Sequence, residues 1–327
     1  MAKKRILSGM RPTGPLHLGN LHGALANWNK MQEEYECFFF IADWHALTSD
    51  YESTGSIQGY SMDVFLDWLS VGLSPEKCTL FVQSHIKEHA ELFLLLSMIT
   101  PLPWLERNPT YKEQIAELKN KDLSTFGFLG YPVLQAADII MYKANGVPVG
   151  IDQAPHVELT REIARRFNHF YGDIFPIPET ILTETPKILG LDRRKMSKSY
   201  GNAIFLSDPP KEVRNKVSQM ITDPQRARRS DPGNPDVCNV FSFHQMYSDR
   251  ETTQRANEEC RKAEIGCVEC KKMMAEFLIT ALEPIHEQRA YYEANPDTLR
   301  AVIEDGDLRA GAVARETMAE VREAIRI

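Results

Sequence analysis

No run of apolar residues in this chain is long enough to cross a bilayer. The most apolar, Leu92 to Leu96 extended to Ile99, falls far short of the roughly 20 residues that a spanning helix needs. The opening Met-Ala-Lys-Lys-Arg lacks the apolar core of a signal peptide, so a cytoplasmic protein is expected. Basic charge is not in excess either. With 38 Lys and Arg against 45 Asp and Glu the net charge is −7, so no global field advertises nucleic acid. RNA would have to be met on local patches, and nothing points to DNA or a membrane as partner. Cysteine is scarce, six in 327 residues, which in a cytosolic chain argues for thiols or metal ligands rather than disulfides. There is no internal repeat and no low-complexity tract. Both the dinucleotide fingerprint G-x-G-x-x-G and the G-K-[ST] of a phosphate-binding loop are missing.

What is present begins at Arg5. Ile6 and Leu7 form a short apolar run that passes through the Gly/Pro-rich turn Arg11-Pro12-Thr13-Gly14-Pro15 into a helix-like segment near Gly19. A strand, a tight turn and a helix N-terminus together make an anion site, because free N–H groups and the helix dipole point the same way. His17 and Asn20, three apart, stand at that mouth. Alone, H-x-G-N also fits an ordinary loop with a core histidine. Far downstream, Lys195-Met196-Ser197-Lys198-Ser199 places two lysines and two hydroxyls on a loop suited to the β- and γ-phosphates of ATP.

Between these motifs strands and helices alternate. Cys37 to Ala42 reads as a strand buried on both faces, Leu80 to Gln83 as the next, and Glu88 to Met98 as a helix. That alternation implies a parallel sheet with ligands at the carboxyl ends of its strands. Pro101, Pro103 and Pro109 interrupt it, so 100–127 is expected to be an insertion. Tyr131, Gln135 and Asp138 are spaced to share one helix face, with Asp138 set among Ala137, Ile139 and Ile140. A buried, unpaired carboxylate is costly, so a donor is expected to arrive there; a capping or salt-bridged aspartate is the alternative. Val147-Pro148-Val149-Gly150 then forms a second strand–turn–helix mouth. Beyond about residue 203 strand signals fade and helical periodicity takes over, notably at Cys270 to Leu282 and Ala312 to Ile325.

In order and separation, P-T-G-P-L-H-L-G-N and K-M-S-K-S resemble the two signature motifs of class I aminoacyl-tRNA synthetases. Asn20, at the position of the family's second histidine, is a variant of the tryptophanyl branch. The resemblance implies an α/β fold: a Rossmann-type catalytic domain over 1–203 and a helical anticodon-binding domain over 204–327, whose terminal helix packs back on the first. It also implies a homodimer, formed through the 100–127 segment that contains Leu105-Glu106-Arg107 and Thr110-Tyr111-Lys112-Glu113. The activity implied is ATP- and Mg²⁺-dependent conversion of L-tryptophan to tryptophanyl-adenylate, followed by transfer to tRNA(Trp). Carried over by position, Arg11, Pro12, Thr13, His17, Gly19 and Asn20 take the adenine and α-phosphate side. Lys195, Met196, Ser197, Lys198 and Ser199 hold the pyrophosphate, joined by Lys112. Gly150, Ile151 and Asp152 line the ribose and Ile188 the adenine. Ile151 stands where relatives often carry an acidic residue. Asp138 accepts the indole N–H, and Leu7, His45, Tyr131, Val147, Val149 and Gln153 line the amino-acid pocket. Tyrosyl-tRNA synthetase and a non-catalytic nucleotide or iron–sulfur binding relative are the competing readings.

Cys238, Cys260, Cys267 and Cys270 give C-x21-C-x6-C-x2-C. Four of six thiols in so short a stretch suggest shared ligation. Structural zinc usually comes with two CxxC pairs, whereas iron–sulfur clusters accept less regular spacing. The arrangement resembles that of a subgroup of tryptophanyl enzymes carrying a [4Fe–4S] cluster, with Zn²⁺ and then free thiols as alternatives. Arg226, Arg228 and Arg229, and Lys271 and Lys272, form small basic patches near these cysteines and are candidates for RNA phosphates.

Overall fold

The protein is described here by a computed structural model covering residues 3–108, 123–183 and 187–327. Among these residues five strands form one sheet: β1 Arg5–Met10, β2 Glu36–Ile41, β3 Cys78–Val82, β4 Gly146–Val149 and β5 Glu179–Leu182. All neighbours are parallel, in the order β3-β2-β1-β4-β5. Parallel pairing needs a crossover after each strand, which is why helical segments alternate with the strands. Cys37 to Ile41 are all buried, as expected of a strand covered on both faces. The order reverses between β1 and β4, and such a switch point leaves a crevice at the carboxyl ends of the strands.

The helices around that crevice follow the apolar spacing. The first is a single turn, α1 Leu18–Asn20, which runs through a wider π turn at Leu21–Leu25 into α2 Ala26–Glu34. Then come α3 Asp43–Asp50, α4 Ile57–Ser70, α5 Glu88–Ile99, α6 Leu102–Glu106, α7 Phe126–Met141 and α8 Ala154–Tyr171. Half of the expected insertion, including Thr110, Tyr111, Lys112 and Glu113, lies outside the described residues. From Pro210 the named elements are helical, apart from the 3-10 turn Pro235–Val237: α9 Pro210–Gln219, α10 Asn239–Tyr247, α11 Arg250–Arg261, α12 Cys267–Ala294 and α13 Pro296–Ile325. The expected class, a Rossmann-type parallel sheet followed by a helical region, is therefore the one that forms.

Two apolar cores sandwich the sheet, and the C-terminal helices enter both. Met274, Leu278 and Leu282 of α12 pack with Trp28, Phe39 and Trp68 on one face. Ala310, Ala314 and Met318 of α13 pack with Phe81, Leu92 and Ile140 on the other. Between these contacts α13 covers the edge of β3. The Val82 N–H donates to Asp307 Oδ1 at 3.1 Å, so an edge-strand donor is satisfied by a helix side chain rather than by another strand. At Gly306 a Cβ would lie 1.7 Å from the Leu80 carbonyl oxygen, so only glycine allows the helix this close.

Candidate active site

The first mouth is organised by its own backbone. The His17 N–H donates to Asn20 Oδ1 at 3.0 Å and the Gly19 N–H to His17 Nδ1 at 3.1 Å, a reciprocal cap that starts α1. Because Nδ1 accepts, the neutral ring carries its proton on Nε2. Burial, then the positive charges of Lys198 and Lys195, push His17 down to about 4. The turn is held by a ladder: Leu18 N–H to the Ile204 carbonyl at 3.1 Å, and Leu206 N–H to the Leu16 carbonyl at 2.9 Å. Arg11 is tied to Ser49 Oγ and lies 3.5 Å from Asp50.

Lys198 joins the two distant motifs. Its Nζ donates to Thr13 Oγ1 and to the Gly14 carbonyl, both at 3.2 Å. Lys195 and Ser199 are exposed, Met196 is buried, and Ser197 Oγ is 2.9 Å from Ser199 Oγ. A residue just past the motif brackets the loop. The buried Asn202 accepts from the Ser197 N–H at 2.8 Å and donates to Asp192 Oδ1 at 2.6 Å and to the Lys195 carbonyl at 3.3 Å. Ile188 is buried, and its carbonyl accepts from the Met196 N–H at 2.9 Å.

Beside this mouth, at the carboxyl ends of β1 and β4, lies a cavity of about 420 Å³. All seven candidates for the amino-acid pocket line it: Leu7, His45, Tyr131, Asp138, Val147, Val149 and Gln153. Arg11, Gln135 and Gly150 line it too, whereas Ile151 points into solvent. The side chain of Asp152 and all of Lys112 lie outside the described residues.

Asp138 is fully buried, and the paired aspartate that the sequence left open as the alternative is the one that forms. His45 Nε2 donates to Oδ2 at 2.7 Å and His89 Nδ1 to Oδ1 at 2.6 Å. Gln83 Nε2 spans both oxygens at 2.8 and 3.0 Å. Burial alone would raise this carboxyl, but the hydrogen bonds from His45 and His89 outweigh it and hold the group below its usual range. Tyr142 Oη sits 2.8 Å from His89 Nε2 and orients that ring. Sequence reading missed Gln83, His89 and Tyr142, since each looks like a core residue until α3, the turn after β3, and α5 converge on α7. At the far side Tyr131 Oη lies 3.0 Å from His156 Nε2.

The four cysteines beyond residue 203 come into one neighbourhood. Arg226 Nη1 lies 3.7 Å from Cys260 Sγ and 3.8 Å from Cys267 Sγ. Burial pushes the Cys270 thiol up to about 12, with Cys238, Cys260 and Cys267 adding to the shift. A Cβ on Gly233 would fall 2.5 Å from Cys260 Sγ, so the backbone hugs that sulfur. Among the described residues, however, no three His, Cys, Asp or Glu side chains form a metal-holding group, and the expected cluster gains no support from this arrangement. Arg226, a candidate for RNA phosphate, is instead committed to the Arg229 and Ile265 carbonyls, each at 2.8 Å.

Comparison with known proteins agrees with this geometry. The family described as tRNA synthetases class I (W and Y) matches residues 2–283. A tryptophan–tRNA ligase of Thermotoga maritima is 54% identical over 325 residues, covering 99% of each chain. One from Aquifex aeolicus is 47% identical, over 99% of this chain and 100% of that one. The crystal structure of tryptophanyl-tRNA synthetase from Campylobacter jejuni, complexed with ADP and tryptophan, superposes with a TM-score of 0.92. It is 33% identical, covering 99% of this chain and 100% of that one. With its signature mouth bonded to its lysine loop and the pocket beside them, this chain belongs to the class I tRNA synthetases of the tryptophan and tyrosine family.

Proposed function

We propose that this protein is a tryptophan–tRNA ligase. The tryptophan carboxylate attacks the α-phosphorus of ATP and expels pyrophosphate, giving tryptophanyl-adenylate. A terminal ribose hydroxyl of tRNA(Trp) then attacks the acyl carbon and AMP leaves. The observation that carries this reading is the meeting of the Asp138-floored cavity with the His17–Lys198 mouth. The names of full-length relatives at 47% and 54% identity favour tryptophan over tyrosine as the amino acid.

Such chemistry rests on positioning and charge stabilisation. Neutral His17 and Asn20 meet the α-phosphate side, with the Nε2–H of His17 as donor. Lys195, Lys198 and Ser199 take the pyrophosphate. Thr13 and Gly14 offer Lys198 only neutral oxygens, whereas a phosphate adds opposite charge, so the lysine transfers to ATP when it binds. Mg²⁺ entering with ATP would supply further neutralisation of the phosphates. Gly150 and Asp152 face the ribose, Ile188 the adenine side, and Lys112 joins the phosphates. Indole fits between Leu7, Val147 and Val149. Its N–H reaches Asp138 on the Oδ2 side, where His45 already borders the cavity. A site built around such an acceptor discriminates far more strongly than an apolar slot.

The division at residue 203 is functional: the preceding part activates tryptophan and the helices that follow read the anticodon. Exposed Leu94 and Met98 on α5, with Leu102 and Phe126 opening α6 and α7, offer an apolar surface for a homodimer. Cytoplasmic translation is the setting. Pyrophosphate exchange run in parallel with tryptophan and tyrosine tests the main reading. Tryptophan alone should drive exchange, and Asp138→Asn should cut kcat/KM for tryptophan roughly a hundredfold. Tyrosine-driven exchange, or an unaffected variant, overturns it.

The finer reading assigns Cys238, Cys260, Cys267 and Cys270 to a structural [4Fe–4S] cluster, with Zn²⁺ as the alternative. Their C-x21-C-x6-C-x2-C spacing is what supports it. Anaerobic purification should yield brown protein with about four irons per chain. One zinc per chain would favour the alternative, and fully active metal-free protein would end both.

A further inference from the structure

Asp67 is a second buried carboxylate, on α4, and the chemistry above makes no use of it. Its Oδ2 accepts the Leu16 N–H at 3.2 Å and its Oδ1 accepts Arg289 Nη1 at 2.5 Å. Arg289, on α12, also donates to Asp63 at 2.8 Å and to Glu293 at 2.9 Å. Leu16 directly precedes His17, and its carbonyl forms one rung of the ladder to Leu206. Three residues before Arg289, on the same face of α12, His286 Nε2 donates to the Leu206 carbonyl at 2.9 Å. The helix thus grips both strands of backbone that carry the mouth.

A buried ion pair is a poor source of stability, because desolvation nearly cancels its attraction; what it can supply is a fixed geometry. We infer that Arg289 and Asp67 are positioning residues for nucleotide. Through them α12 holds the Leu16–Asn20 turn in place against Lys198, and the C-terminal helices thereby set how well ATP is bound. This rests on reading that turn as the ATP site. Asp67 faces Arg289 from α12, Asp63 on its own helix and, at longer range, Lys198 of the loop. Burial raises its carboxyl to about 6, against the pull of Arg289 and the Leu16 N–H. Protonation there removes the charge that orients Arg289. ATP affinity should accordingly fall as pH drops through about 6, well above the titration of His17 at about 4.

The test uses the full chain with Arg289→Met, Arg289→Lys and Asp67→Asn. It reads KM for ATP and for tryptophan in exchange, ATP binding by calorimetry across the acid range, and Tm. Arg289→Met should lower kcat/KM for ATP about tenfold while leaving KM for tryptophan unchanged, and Arg289→Lys should recover most of the loss. Asp67→Asn should lessen the weakening of ATP binding near pH 6, leaving only the part due to protonation of the γ-phosphate itself. Variants that lose only Tm, with ATP binding and its pH profile as in the parent, overturn the inference. ATP binding separates the two readings: a parent that binds ATP without tryptophan-driven exchange defeats the proposed function but leaves this inference open to measurement. A parent that binds no ATP defeats both.

Discussion

At His17 burial decides the charge state. The ring is enclosed by its own cap, and two lysines of a loop almost two hundred residues away add positive potential. A histidine depressed to about 4 remains neutral at every pH where the enzyme would work, so its Nε2–H is a fixed donor rather than a switch. The unfolded chain protonates this residue first. Its share of stability is intact above about pH 6.5 and is lost as pH falls through about 4. NMR titration of the imidazole should show no transition near 6.5. Lys198→Met should move the transition upward, but only part of the way, because burial is the larger cause. The same scale explains what stayed hidden at Asp138. Its flanking residues in sequence are apolar, while its donors are 49, 55 and 93 positions away. Local sequence can show that a carboxylate is buried; it cannot show that three elements have converged to satisfy it.

Elements that carry their chemistry within a few consecutive residues were legible. The helix start that puts His17 and Asn20 at one mouth, the shared face of Tyr131 and Asp138, and the lysine loop all fall into this class. β5 was not legible, because Glu179–Leu182 is a half-exposed edge with no apolar run. Nor was Asn202, whose role depends on the loop folding back over it. Among the helices, α13 makes the sharpest stability prediction. Replacing Gly306 with Ala would gain about 1 kcal/mol of helix propensity. The new Cβ would nevertheless fall 1.7 Å from the Leu80 carbonyl oxygen, with the β3 backbone as the obstacle. Overpacking should win, and thermal unfolding of Gly306→Ala should show a net loss of about 2 kcal/mol.

For the whole molecule, strand–helix alternation followed by a helical tail was readable from periodicity, and so was the order of the two motifs. What periodicity could not convey is that the tail has no core of its own among the described residues. Its apolar faces complete the two cores of the sheet. A residue such as Met318 is compatible in sequence with either a separate bundle or a shared interior, and only the topology separates them. The placement of α13 along β3 has a consequence for biosynthesis. Residues 78–82 leave the ribosome long before 296–325, so the nascent chain carries an unsheathed sheet border until α13 emerges. Throughout that interval the chain is open to illegitimate pairing with its neighbours on the polysome, and the thirty residues of α13 act as a built-in guard once they emerge.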